Sequence, residues 1–171
     1  MSRHRTIPDD QIFAVIRALL AEQGERALSF AAVAAATGLA GSTLVQRYGS
    51  VTGMVEAALA PVLTTLEAVL TLVSGEVAPN AKGAQDLLKA LGDSDLAEIA
   101  VLAAMFRIPA LRARAEDWRN RVEAALASQL GGGDAGRDAA RLVFAAWQGQ
   151  ALWHPAGGKK FRLKAALRQL T

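Results

Sequence analysis

Apolar residues recur at helical spacing along nearly the whole chain, and no stretch alternates apolar and polar in β-branched types as a strand would. Near the start, Ile12, Val15, Ile16, Leu19 and Leu20 form one stripe with Phe13 beside it, which predicts a helix from Pro8 to Gly24. Pro8 suits the first helical position, and Asp9 and Asp10 meet the positive end of the helix dipole. From Ser29 to Tyr48 the pattern predicts two short helices broken at Gly38. Ser29 has the side chain to cap the first of them. Phe30, Val33 and Ala34 fall on one face, and the alanines at 31, 32, 35 and 36 let a neighbouring helix come close. Gly38 stands where the chain must turn through positive φ, and Leu39 plugs the turn. The second short helix runs from about Gly41 to Tyr48, with Leu44 and Tyr48 inward at i, i+4. That spacing predicts Ser42, Thr43, Gln46 and Arg47 on its outer side.

Beyond this pair the chain reads as a series of further helices. Ser50 caps a long one over 51–73, whose stripe includes Met54, Ala58, Leu59, Leu63, Leu66 and Leu70. Pro61 interrupts it, either as a tolerated kink, the simpler reading, or as a hinge. Residues 75–83, with Pro79 and Asn80, form the clearest break, and a short helix over 85–91 follows. Asp95 and Glu98 make a capping box for a helix from Leu96 to about Arg107. Pro109 opens the next, to about Leu130, with Leu111, Ala115, Trp118, Val122 and Leu126 inward. Arg112, Arg114, Arg119 and Arg121 interleave there with Glu116, Asp117 and Glu123, which predicts a solvated, salt-bridged face rather than a nucleic-acid patch. The stretch Asp134 to Trp153 is apolar around nearly its whole circumference, so it must be buried on most sides. In a chain this small, a second copy has to supply part of that cover. A last helix, Lys159 to Leu170, places Leu163, Leu167 and Leu170 on one stripe.

Composition narrows the chemistry. The 171 residues are 52% apolar with five Phe, three Trp and one Tyr, which suits packed helices. There is no cysteine, so disulfides, thiolate catalysis and Cys-based zinc sites are excluded. His4 and His154 lie far apart and carry no ligand spacing. Gly-x-Ser-x-Gly and His-Glu-x-x-His are absent, and Gly131-Gly132-Gly133 follows no strand, so it reads as a linker rather than a phosphate cradle. No catalytic residue, metal or cofactor is expected. The start is charged without an apolar core, and no uninterrupted apolar run approaches the roughly 20 residues of a membrane span. A cytoplasmic protein without a membrane partner is expected. A net charge of +3 and a pI near 9.7 permit nucleic-acid binding without demanding it.

The outer face of the second short helix has the chemistry of a major-groove reader: a slim leading end, then donors and acceptors for base edges. In this setting the segment resembles the helix-turn-helix of TetR-type transcriptional regulators. The resemblance rests on Val33-Ala34, Gly38-Leu39-Ala40, Thr43-Leu44, Tyr48-Gly49 and Ser50. Two positions depart from the family pattern: Val45 stands where a phosphate-contacting Tyr is usual, and Val51 where a Lys is usual. The resemblance implies an all-α chain in two parts. Residues 1–50 would form a three-helix unit that binds double-stranded DNA, and residues 51–171 a helical bundle that dimerises and holds a small apolar effector. It implies a homodimeric repressor of a palindromic operator. The alternatives are a helical-bundle enzyme or carrier and a protein-binding adaptor.

The candidate DNA contacts are Arg3, Arg5, Ser29, Gly41, Ser42, Thr43, Gln46, Arg47 and Tyr48. Arg3 and Arg5 belong to a terminal arm that lies along phosphates or enters a minor groove, or is simply solvated. Gln46 and Arg47 are the expected base readers. The effector candidates are Leu63, Leu66, Phe106, Trp118 and Trp147, with plain core packing as the alternative. The dimer candidates are Leu142, Ala146, Gly149, Trp153, Leu163 and Leu167.

Overall fold

The computed structural model describes residues 7–92 and 99–158, all of them in helices, tight turns and short connections. Helix α1 spans Asp9–Gln23 and leads through a single 3₁₀ turn, Glu25–Ala27, to α2, Phe30–Thr37. Then come α3, Gly41–Tyr48; α4, Val51–Ser74; α5, Ala81–Gly92; α6, Ile99–Met105; α7, Pro109–Gln129; and α8, Gly133–Trp153. No strand occurs among the described residues. The expected capping box at Asp95 and Glu98 and the expected helix over 159–170 lie outside the described residues, as do Arg3, Arg5, Leu163 and Leu167.

Packing divides the chain into two compact units. The first holds residues 1–64 and 100–113, the second 65–99 and 114–171, so α4 and α7 each contribute to both. In the first unit, Ile12, Ile16 and Leu20 of α1 are buried with Val33 of α2, Leu44 of α3 and Met54, Ala58 and Leu59 of α4. The α1 stripe is thus narrower than its sequence suggests, since Val15 and Leu19 stay half-buried on its flank. Arg17 donates to the Ala58 carbonyl at 3.4 Å, and Arg107 pairs with Glu25 at 3.0 Å.

In the second unit, α7 buries Ala115, Trp118, Val122 and Leu126. Its arginines do more than face water. Arg114 reaches both oxygens of Glu67 on α4, at 3.3 and 2.8 Å, and Arg121 donates to Thr71 at 3.0 Å. Helix α5 begins four residues before the expected 85–91 segment, because Asn80 accepts from the amides of Lys82 and Gly83 at 2.9 and 3.1 Å.

Two expectations about long helices change. Helix α4 is long and apolar enough, by length and composition, to cross a membrane. Uncharged residues such as Thr64 and Thr65 break its apolar run but leave its mean hydropathy high. It serves here as a core helix, with Leu63, Leu66 and Leu70 buried and Glu67 tied to Arg114. It also continues through Pro61 from Val51 to Ser74. Helix α8 buries only Gly136, Ala140 and Val143 within the single chain, and its later turns leave large apolar side chains exposed.

Candidate nucleic-acid interface

The interface is built upward from the turn at Gly38. Helix α2 starts where the Ser29 hydroxyl oxygen accepts from the Ala32 amide at 3.1 Å. It ends where Gly38 enters the left-handed region, at φ 74°, and its amide reaches back to the Ala34 carbonyl at 2.8 Å. A residue with a β-carbon would be strained there. The turn lays α3 across α2, and fully buried Leu44 pins α3 to the core. No side chain caps α3, since Ala40 occupies its N-cap position.

The far end of α3 is fixed by α4. Gly49 turns the chain, and Ser50 accepts from the Gly53 amide at 2.9 Å, as a cap for α4. Gly53 sits so close beneath α3 that a β-carbon on it would lie 2.5 Å from the Tyr48 carbonyl oxygen. The first turn of α4 therefore presses directly on the last residue of α3.

A three-way cluster holds the flank of α3. Arg47 donates to the Ile7 carbonyl at 3.0 Å and to Asp9 at 3.2 Å. The Tyr48 hydroxyl donates to the same Asp9 oxygen at 2.7 Å, and its ring packs on Phe13 with centroids 6.2 Å apart. Burial, and then the hydrogen bond to Asp9, push the Tyr48 pKa up to about 12. Asp9 is thus the hub that joins the start of α1 to the end of α3. Sequence reading assigns Asp9 only to the helix dipole, because its partners lie 38 and 39 residues away.

This geometry redraws the outer face of α3. At 3.6 residues per turn, Ser42 and Gln46 lie opposite Leu44, while Arg47 lies only about 60° from it. Ser42, Val45, Gln46 and Arg47 are exposed, and Thr43 and Tyr48 are half-buried. Arg47 was expected beside Gln46 and instead spends its guanidinium on Ile7 and Asp9. Val45, expected only as a missing phosphate contact, is 46% exposed on the opposite flank. Ser29 is half-buried with its oxygen engaged in the α2 cap, and Gly41 is half-buried at the start of α3.

The all-helical architecture and the α2–turn–α3 geometry can be set beside known proteins. No protein-family model and no curated protein matches the sequence. Among solved structures, the chain is similar to a TetR transcriptional regulator from Legionella pneumophila, with a TM-score of 0.71 at 18% identity, covering 98% of this chain and 97% of that one. It is also similar to a structure assigned to a transcriptional regulator of Streptomyces coelicolor A3(2), with a TM-score of 0.63 at 18% identity over 95% and 96% of the two chains. This is the TetR-type regulator fold. Both positions noted above, Val45 and Val51, stand on either side of the α3–α4 junction.

The remaining candidates fall in different places. Leu63 and Phe106 belong to the first unit, and Leu66, Trp118 and Trp147 to the second. Phe106 is 51% exposed in the turn after α6, so it lines no interior wall there. Its neighbours explain the exposure: α6 stops at Met105, and Ile108 takes the buried position of the turn. Trp118 meets Phe144 edge to face and Phe144 meets Trp147 at a tilt, with centroids 6.2 and 5.8 Å apart. The Trp118 indole N–H is buried there without a hydrogen-bond acceptor among the described residues. Leu142 and Trp153 of α8 are exposed, and Ala146 and Gly149 half-buried.

Proposed function

We propose that the chain is a DNA-binding transcriptional regulator that reads a palindromic operator as a homodimer and releases it on binding a small apolar effector. The observation that carries the DNA reading is the outer face of α3: Ser42, Val45 and Gln46 exposed on a helix whose opposite side is pinned by Leu44. A helix held rigidly beneath and open above is what a major groove admits. Residues 1–50 serve as the DNA-binding part, and Arg3 and Arg5 as its arm.

Homodimerisation is supported by α8. Leu142, Ala145, Gly149 and Leu152 follow each other at spacings of three, four and three, the repeat of a helix-pair seam, and Leu142 and Leu152 are 52% and 55% exposed. Two recognition helices related by a two-fold axis would enter successive major grooves about 34–36 Å apart. Effector binding is supported by the unpaired Trp118 N–H within the Trp118–Phe144–Trp147 cluster. A buried donor without an acceptor costs roughly 1–3 kcal/mol, which a ligand carbonyl would recover. An apolar ketone or ester should therefore quench tryptophan emission and lower DNA affinity together.

The deciding experiment is selection of binding sites from random DNA by wild type, Gln46→Ala and Arg47→Ala. The wild type should enrich an inverted repeat, with affinity falling steeply as salt rises. Gln46→Ala should relax one position per half-site. Arg47→Ala should weaken all sequences alike, as befits a residue that positions α3 from its flank. A folded wild type that enriches nothing overturns the reading.

A further inference from the structure

Among the described residues of α3, Val45 is out of character with its neighbours. It is 46% exposed on the flank of α3, beside Ser42 and on the side of the helix away from Arg47. A β-branched residue loses side-chain freedom in a helix and gains only partial burial here in return. Its two methyl groups can neither donate nor accept, so a phosphate gains nothing from them. The guanidinium of Arg47, the natural bidentate partner of guanine, is already held by Ile7 and Asp9. The side chain of Gln46 makes no hydrogen bond to another described residue, and amides of this kind pair with the N6 and N7 edge of adenine. The apolar group that base edges present in the major groove is the C5 methyl of thymine.

We propose that Val45 is a specificity-determining residue that reads a thymine through its C5 methyl, next to an adenine addressed by Gln46. The α3 contribution to each half-site is then an A·T reading without a guanine contact. The inference rests on the DNA-binding reading above and adds which bases α3 selects.

The test uses the full-length chain and the operator that it selects. Each thymine of a half-site is replaced in turn by deoxyuridine, which keeps the pairing edge and removes only the methyl. One position per half-site should weaken wild-type binding about fourfold, the worth of one buried methyl group. Val45→Ser should bind the unmodified operator as weakly as the wild type binds that uracil-substituted one, and should no longer distinguish the two. Its exposure keeps the substitution compatible with folding, which a thermal melt checks. Wild-type binding indifferent to uracil at every position overturns the proposal, as does a uracil effect that persists undiminished in Val45→Ser. Failure to select any sequence is a different result, which removes the DNA-binding reading itself.

Discussion

Tyr48 is the one phenol of the chain, so its ionisation can be followed without interference from another tyrosine. Its pKa is raised from 10.0 to about 12, first by burial and then by the hydrogen bond to and charge of Asp9, with Arg47 pulling the other way. A pKa that is higher folded than unfolded favours the protonated form in the folded state. Its stabilising contribution is therefore complete below pH 10 and disappears as pH rises through 12. Absorbance of the phenolate should appear near pH 12 in the native protein and near 10 in denaturant. Asp9→Ala should move the native titration downward, yet leave it above 10 because burial remains. A native midpoint unchanged by Asp9→Ala would mean that Asp9 is not its partner in solution. At this scale the sequence was partly legible. The Ser29 and Ser50 caps follow from residue type and position, because a cap bonds within three residues. The Asp9–Arg47–Tyr48 cluster does not, because only folding brings α1 to α3.

At the scale of elements, the junction of α3 and α4 sets the pose of α3. The Tyr48 carbonyl lies where a β-carbon of Gly53 would stand. Gly53→Ala should therefore push the end of α3 away from α4, at a cost of about 1–3 kcal/mol, the usual range for overpacking. Denaturant melts should report that loss, and DNA affinity should fall on all sequences alike, since the whole helix moves. Unchanged stability together with unchanged affinity would show that the junction gives way elsewhere. The helix runs themselves were readable from the 3.6-residue period: α3 and α7 carry the expected buried residues at Leu44, Leu111, Trp118 and Val122. Boundaries were less so. Residues 81–84 look like a glycine-containing break until Asn80 is seen capping them as the first turn of α5.

For the whole molecule, the unresolved burial is that of α8. Leu142, Leu152 and Trp153 are 52%, 55% and 64% exposed in the single chain. Apolar area of this kind, in register along one helix, is worth roughly 25 cal/mol per Å² when covered. The wild type should sediment as a dimer at micromolar concentration. The double variant Leu142→Glu, Leu152→Glu should sediment as a folded monomer, because both side chains already face solvent and no core is disturbed. It should also lose operator affinity, since each half-site would then bind alone. A wild type that sediments as a monomer removes the dimer from the proposal.

By itself the sequence determined the helical class, the order of the helices from Pro8 to Trp153, the turn at Gly38 and the pinning of α3 by Leu44. These are local properties: a periodic apolar stripe, a cap within three residues, and a glycine where φ must be positive. Tertiary structure alone decided which α3 side chains are left open. Leu44 and Tyr48 define an inward direction, but Arg47 lies near enough to it for its guanidinium to reach Asp9 and Ile7, and Val45 is left open on the other flank. The division of the chain at residues 64 and 113 was equally hidden. It arises because α4 and α7 each run through two cores, and a helical period carries no mark of which core a given turn will join.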